Sequence, residues 1–268
     1  MKIIQNIPDI DSKLFTSFNN IIYHDDVHKY YINNQECISV TTLIHKYQPE
    51  FDEQYWSEKK ADEYNLTQKE VLRGWKFLNE KGTFKGSLIH EYAENLFKNK
   101  YFPYPEDKVL KKFGFDPIRK EYEITKKHID NFYNNVKDKL IPIMLEGIFY
   151  DEESLISGMG DILFYNVKKK MFQIWDYKTN KDFTSISEFG NKLLYPLNHL
   201  MDCDLEIYSL QLALYKFLIE KKTNIKIGDC YLVWVSHLNN NYEIIKTHNR
   251  DEEVKKIYTK RLMEVKFG

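Results

Sequence analysis

The chain places a carboxylate and an amine two residues apart at the end of an apolar run, where Asp176-Tyr177-Lys178 closes Phe172-Gln173-Ile174-Trp175. Side chains alternate along a strand with a period of two, so Asp176 and Lys178 leave it on one face. A second carboxylate opens the preceding apolar run, in Gly158-Met159-Gly160-Asp161 ahead of Ile162-Leu163-Phe164-Tyr165. The polar stretch Asn166-Val167-Lys168-Lys169-Lys170 between them has the length of a hairpin connection. A turn centred on Lys168-Lys169 sets Tyr165 opposite Phe172, Leu163 opposite Ile174 and Asp161 opposite Asp176. Directly opposed side chains share a face at about 5 Å. Two carboxylates so close repel unless something positive lies between them, and a divalent cation is the usual answer. Lys178 can neutralise only one of them. A strand-end salt bridge is the plain alternative, so the rest of the chain has to decide.

Bulk properties narrow the class. At 268 residues the chain has length for one large domain, or a core with a subdomain. Its 43% hydrophobic and 29% charged content is that of an ordinary globular protein. No apolar run is long enough to span a bilayer and Met1-Lys2-Ile3-Ile4 opens no signal-peptide pattern, so an intracellular, cytoplasmic setting is expected. Cys37, Cys203 and Cys230 are widely spaced, which fits reduced structural thiols and excludes a four-cysteine iron–sulfur cluster.

A net charge of −1 argues against a protein that coats nucleic acid without specificity, yet residues 98–140 hold 11 Lys/Arg against 7 Asp/Glu, about +4. Lys108, Lys111, Lys112, Lys126 and Lys127 stand there among Tyr101, Phe102, Tyr104, Phe113 and Phe115. Lysines beside aromatics suit phosphates and stacked bases. A solvated helix over a small core would look the same.

The elements that must position these groups follow from periodicity. Ile21-Ile22-Tyr23 and Tyr30-Tyr31-Ile32 read as a hairpin, and Ser39-Val40-Thr41-Thr42 as the cap of a short helix. Residues 51–80 read as helices anchored by Trp56, Trp75, Phe77 and Leu78. Gly82-Thr83 precedes a stronger helix from about Lys85 to Lys98, with Ile89, Tyr92, Ala93 and Leu96 at core spacing and His90 and Glu94 one turn apart. Residues 101–117 read as a loop, and Ile129, Phe132, Tyr133, Val136 and Leu140 as a further helix. The run from Ile143 to Tyr150 is an apolar strand with one carboxylate, Glu146, either at an edge or in the site. Residues 182–203 read as irregular. A long helix from about Asp204 to Glu220 sets Ile207, Leu210, Leu214 and Phe217 beside a polar and aromatic stripe of Tyr208, Gln211 and Tyr215. A buried strand over 228–235 and a closing helix marked by Val254, Ile257, Tyr258, Leu262 and Val265 complete the chain.

Taken in order, Gly86-x-x-x-His90-x-x-x-Glu94 on a helix, a strand with Glu146, Gly160-Asp161, Asp176-Tyr177-Lys178 and Gln211-x-x-x-Tyr215 on a helix form a succession. That succession resembles the RecB-like branch of the PD-(D/E)xK nucleases, over about residues 83–236. The leading Tyr-rich hairpin and Ser39-Val40-Thr41 also look like the front end of small phage and viral relatives, and the whole is similar to the mitochondrial genome maintenance exonucleases. The resemblance implies an α/β fold of restriction-endonuclease type, a central mixed β-sheet flanked by helices. Residues 83–268 would form the nuclease core with a basic helical insertion at about 98–140, and residues 1–82 a hairpin and helical segment packed on it. It implies magnesium or manganese (Mg2+ or Mn2+) held by His90, Asp161, Asp176 and the backbone carbonyl of Tyr177, with Lys178 as the catalytic lysine. Gln211 and Tyr215 would orient the site and the DNA, and Glu94 would support it. Unlike cluster-bearing relatives, this chain lacks the four cysteines, and it has no phosphate-binding loop of a helicase motor.

The expected activity is metal-dependent DNA hydrolysis by an exonuclease acting on single strands or DNA ends in replication, recombination or repair. Alternatives are a structure-specific endonuclease and a non-catalytic DNA-binding protein that keeps the fold. DNA is the expected partner, with no membrane and no nucleotide cofactor.

Overall fold

Alternation along the two carboxylate-bearing strands sets the architecture. The computed structural model describes residues 13–24, 27, 29–187 and 190–268. Residues 1–12, where no signal-peptide pattern was expected, lie outside the described residues, as do Asp25, Asp26 and His28. In chain order the elements are α1 (Lys13–Ser17), β1 (Ile22–His24), β2 (Lys29–Ile32), β3 (Gln35–Ser39), α2 (Val40–His45), α3 (Glu53–Tyr64), α4 (Gln68–Phe97), α5 (Glu106–Phe113) and α6 (Arg119–Val136). There follow β4 (Leu140–Asp151), β5 (Ile156–Asn166), β6 (Met171–Lys178), α7 (Asp204–Thr223), β7 (Tyr231–Trp234), β8 (Glu243–Lys246) and α8 (Asp251–Phe267).

The strands form one mixed sheet in the order β1-β2-β3-β5-β6-β7-β8, with β4 paired to β5 off that path. The pairs β3/β5 and β6/β7 are parallel and the others antiparallel. Both faces are covered by helices, as the α/β expectation required. Leu163, Ile174 and Leu232 face a core that includes residues of α1, α2, α7 and α8. Their neighbours Ile162, Phe164, Trp175 and Val233 face the opposite core, built with α4, α5 and α6. Burial on both faces explains why β5 and β6 read as continuous apolar runs.

The β5–β6 hairpin has the expected register, with Tyr165 opposite Phe172 and Leu163 opposite Ile174. Its turn spans residues 167–170, where Asn166 Oδ1 accepts from the Lys169 N–H at 2.9 Å and Lys170 takes φ +51°. The ladder stops at Ile162/Trp175, one step before Asp161 and Asp176. Along the same edge of β5, β3 pairs only with Ile156 and Ser157. Between these two partners the edge opens, and the carboxylates stand at that opening.

Several expectations are corrected. The helix expected from Lys85 begins at Gln68 and runs 30 residues, capped by a reciprocal box between Thr67 and Glu70. Gly74 and Gly82 sit inside it because tertiary packing outweighs the roughly 1 kcal/mol that a helical glycine costs. The division drawn at residue 82 therefore falls within one helix. Leu78, expected as an anchor, is 61% exposed. The loop expected over 101–117 contains α5, which buries Val109 and ends at Gly114 with φ +76°. Leu140 opens β4 rather than closing α6. The short strand β8 had no expectation, since its Glu243-Ile244-Ile245-Lys246 is mostly exposed and carries little pattern. Among the described residues no helix is long and apolar enough to cross a membrane.

Candidate metal centre

Five elements deliver the polar groups to the opening in the sheet. Helix α4 approaches the exit of β6 closely at Gly86, where a Cβ would come within 3.0 Å of Thr179 Oγ1. One turn further, His90 reaches across to Asp161, Nδ1 to Oδ1 at 3.1 Å. The other oxygen, Asp161 Oδ2, accepts the backbone N–H of Tyr177 at 2.6 Å, so a side chain takes over where the ladder has stopped. From the adjoining strand comes Glu146, in left-handed backbone at φ +49° between the pairs Leu145/Ile162 and Gly147/Gly160. One donor atom each from His90, Glu146 and Asp161 lie within 4.8 Å of one another. Two carboxylate oxygens and an imidazole nitrogen at that spacing form a set that could hold a metal ion.

Asp176 and Lys178 form the second half of the site. Asp176 Oδ2 meets Lys178 Nζ at 2.5 Å. The contact is an ion pair without hydrogen-bond alignment, for this buried oxygen has no hydrogen-bond partner. Lys178 donates instead to Gln211 Oε1 at 3.1 Å, and Gln211 Nε2 donates to the Tyr215 hydroxyl at 3.0 Å. The ammonium also stands 4.2 Å from the centre of the Tyr208 ring, a cation–π contact. Tyr215 is seated by two glycines: a Cβ at Gly158 would meet its ring at 2.6 Å and Val40 at 3.1 Å, and one at Gly160 would meet Phe149 at 3.2 Å.

The electrostatics show more negative charge than the protein's own cations balance. Burial pushes the Glu146 carboxyl up to about 8, aided by the charge of Asp161 and opposed by His90. Asp176 is also raised, by burial first and by Asp161 second, against the pull of Lys178. Burial would lower His90, but Asp161, Asp176 and Glu146 together raise it to about 9. Asp161 is lowered, because His90, Lys178 and the Tyr177 N–H outweigh its burial. Burial would lower Lys178 too, yet Asp176, Tyr208 and Asp161 raise it, so it is a cation at neutral pH. A divalent cation would supply the missing positive charge and displace the protons that His90 and Glu146 hold.

The other expected residues are placed as follows. Tyr177, expected to contribute its carbonyl, pairs with Val233 in the β6–β7 ladder and contacts the site through its N–H. Glu94 ion-pairs with Lys98 on its own helix, and its charge is felt at Glu146. Asp176, expected as a ligand beside His90 and Asp161, lies outside the 4.8 Å group, while Glu146 lies within it. A lone carboxylate in an apolar strand was the signal for Glu146. Lys108, Lys111, Lys112 and Lys127 are exposed on α5 and α6, whereas Lys126 pairs with Asp130 at 3.1 Å over the ring of Tyr92. Of the aromatics between them, Phe102, Tyr104 and Phe113 pack on the core and Tyr101 and Phe115 are exposed.

His90, Tyr177, Lys178 and Tyr208 line a cleft of about 770 Å³ that continues along α4 past Lys85, Lys81 and Leu78. Lys81, Lys85 and their partner Glu121 were not singled out in the sequence, because Glu121 lies 36 residues beyond Lys85 and nothing local marks the pairing.

A scan against family models and a search of curated proteins found no match. Among solved structures, the crystal structure of SSO0001 is 13% identical, with a TM-score of 0.23 and coverage of 69% of this chain and 87% of that one. A likeness of that size carries no argument about fold or function.

Proposed function

We propose that this protein is a metal-dependent DNA exonuclease of the RecB-like branch of the PD-(D/E)xK nucleases. The observation that carries the reading is the convergence of His90, Glu146 and Asp161 beside the Asp176–Lys178 pair, with His90 and Lys178 lining one cleft. The donors His90, Glu146 and Asp161, with Asp176 adjoining, are mostly hard oxygen ligands and suit magnesium or manganese. Such an ion, when bound, supplies Lewis acidity toward a phosphate and a lowered pKa for coordinated water.

The chain's own residues supply the rest. Lys178, cationic and lining the cleft, opposes the negative charge that develops on a phosphate under attack. Because its proton is held tightly, it acts as a stabiliser of charge and an orienting donor rather than as a base. Asp176, Gln211 and Tyr208 hold that ammonium on three sides, so no reorganisation is needed as charge develops. Tyr177 N–H and His90 fix both oxygens of Asp161 in place. Three free, buried thiols are the observation behind a reducing, cytoplasmic setting.

The test is digestion of end-labelled linear single-stranded DNA with magnesium or manganese, in parallel with excess EDTA, for the native protein and Asp161→Asn. Cleavage should need the metal and be lost in the variant. Cleavage undiminished by chelator overturns the site, and metal-independent binding without any cleavage supports a non-catalytic DNA-binding protein instead.

A further inference from the structure

The far end of the cleft holds a cation cluster that the chemistry at its head does not use. Lys81 Nζ contacts Glu121 Oε1 at 2.6 Å and Lys85 Nζ contacts Glu121 Oε2 at 2.9 Å. His237 Nδ1 approaches the same Oε2 at 3.7 Å, beyond hydrogen-bonding distance, and is left without a hydrogen-bond partner. The Lys85 side chain is only 5% exposed, yet it lines the cleft. Lys181 lines the same end, its backbone fixed where Ser236 Oγ donates to the Lys181 carbonyl at 2.7 Å. Two lysines thus share one carboxylate, and an exposed third, Lys181, lines the cleft beside them. His237 is held neutral by burial first, against Glu121, with Lys85, Lys81 and Lys181 pushing the same way, and it cancels none of the excess.

Lys81 and Lys85 against the one charge of Glu121 leave an excess positive charge in a partly buried cleft, with exposed Lys181 adding to it, and that excess favours an anion. The cleft is large enough to admit one, and its lining adds the side chains of Asn79, Thr83 and Thr179. Position identifies the anion. Lys85 precedes His90 by five residues on α4, an axial offset of about 7.5 Å. His90 and Lys178 line the same cleft as Lys85 and Lys81, so a strand with one phosphate beside His90 and Lys178 would lay a neighbouring phosphate against Lys85 and Lys81. We propose that Lys81, Lys85 and Lys181 form a phosphate subsite for the strand that enters the cleft, with Glu121 as the carboxylate that moderates it. The proposal rests on the nuclease reading, and it concerns binding rather than cleavage.

It is tested by fluorescence anisotropy of a labelled single-stranded oligonucleotide in EDTA, so that no turnover enters. Lys85 is left intact because it is buried. Lys81→Gln with Lys181→Gln should weaken binding about tenfold or more, the loss of charge-assisted contacts. The log–log salt slope should fall by about 0.7 for each lost contact. Glu121→Gln should act in the opposite sense, tightening binding several-fold with a steeper slope, which no structural ion pair would do. Should Glu121→Gln fail to fold, the lysine variant, checked by its melting temperature, decides alone. Oligonucleotides with and without a terminal phosphate separate the two sources: equal dependence on the lysines assigns an internal phosphodiester, and dependence confined to the phosphorylated form assigns a strand end. If the native protein binds and cuts DNA while the lysine variant keeps its affinity and slope, the subsite is refuted and the nuclease reading stands. If the native protein neither binds nor cuts, the nuclease reading falls and the subsite with it.

Discussion

Glu146→Gln should have two effects of opposite sign, and together they test the centre. In the chelated protein Glu146 has a folded pKa of about 8 against an ordinary 4.5. A carboxyl whose folded pKa lies above its unfolded value costs nothing at low pH. Its cost grows as pH rises from about 4.5 to about 8 and is complete above that. At 1.36 kcal/mol for each pH step, the full cost is about 5 kcal/mol before screening. Glu146 is half-buried, and solvent screening brings this to about 1–2 kcal/mol. Removing the charge should therefore raise the melting temperature of the EDTA-treated protein by about 2–8 °C at pH 8.5, with little change at pH 5. Manganese at about 100 times its dissociation constant should stabilise the native protein by about 2.7 kcal/mol, or about 5–10 °C. Loss of one donor should weaken metal binding at least about tenfold and roughly halve that gain. Differential scanning fluorimetry with and without manganese at both pH values reads all four quantities. A variant that melts lower in EDTA, or gains as much from manganese as the native protein, refutes the placement of Glu146 among the donors.

Three further outcomes are expected. Lys178→Ala should cut turnover by roughly 10²-fold or more while the manganese-induced gain in melting temperature persists; unchanged turnover would leave Lys178 as a partner of Asp176 only. Neutralising Lys108, Lys111, Lys112 and Lys127 should lower the salt slope of single-strand binding by about 0.7 for each contact with phosphate, and an unchanged slope would assign them to a solvated face. Covalently closed circular single strands should persist under conditions that reduce the linear form to short products, whereas equal loss of both would favour an endonuclease.

The local half of the site was legible in the sequence because strand periodicity and a short turn suffice to bring it together. The register of Leu163 on Ile174 follows from the turn alone, and it carries Asp161, Asp176 and Lys178 to one opening. Glu146 could be noticed as a misfit in an apolar run but not assigned, since its place depends on how β4 lies along β5. Pairing of that kind is set by whole-sheet packing rather than by the residues between the strands. The same limit hid Glu121 between Lys81 and Lys85. Helix α4 was misjudged at its start for a different reason. Gly82-Thr83 looks like a break when propensity is all there is to read, while Val71 on one side of it and Lys85, Leu88 and Ile89 on the other are buried in the same helix. Basic, aromatic α5 and α6 remained open between two readings, and the structure divides them, with the aromatics mostly inward and the lysines mostly outward.

That continuous α4 leaves the chain without a seam. Thirty residues at a rise of 1.5 Å make a rod of about 45 Å, and His90 rides on its carboxyl-terminal half while the capping box at Thr67 closes the other end. Ahead of α4 in the chain, β3 lends two residues to the edge of β5, immediately before Gly158. Trimming the protein to residues 83–268 would thus cut a helix in mid-span and strip an edge from the strand that bears Asp161. The amino-terminal third is no accessory that can be taken off; it is part of the frame on which His90 and Asp161 are hung.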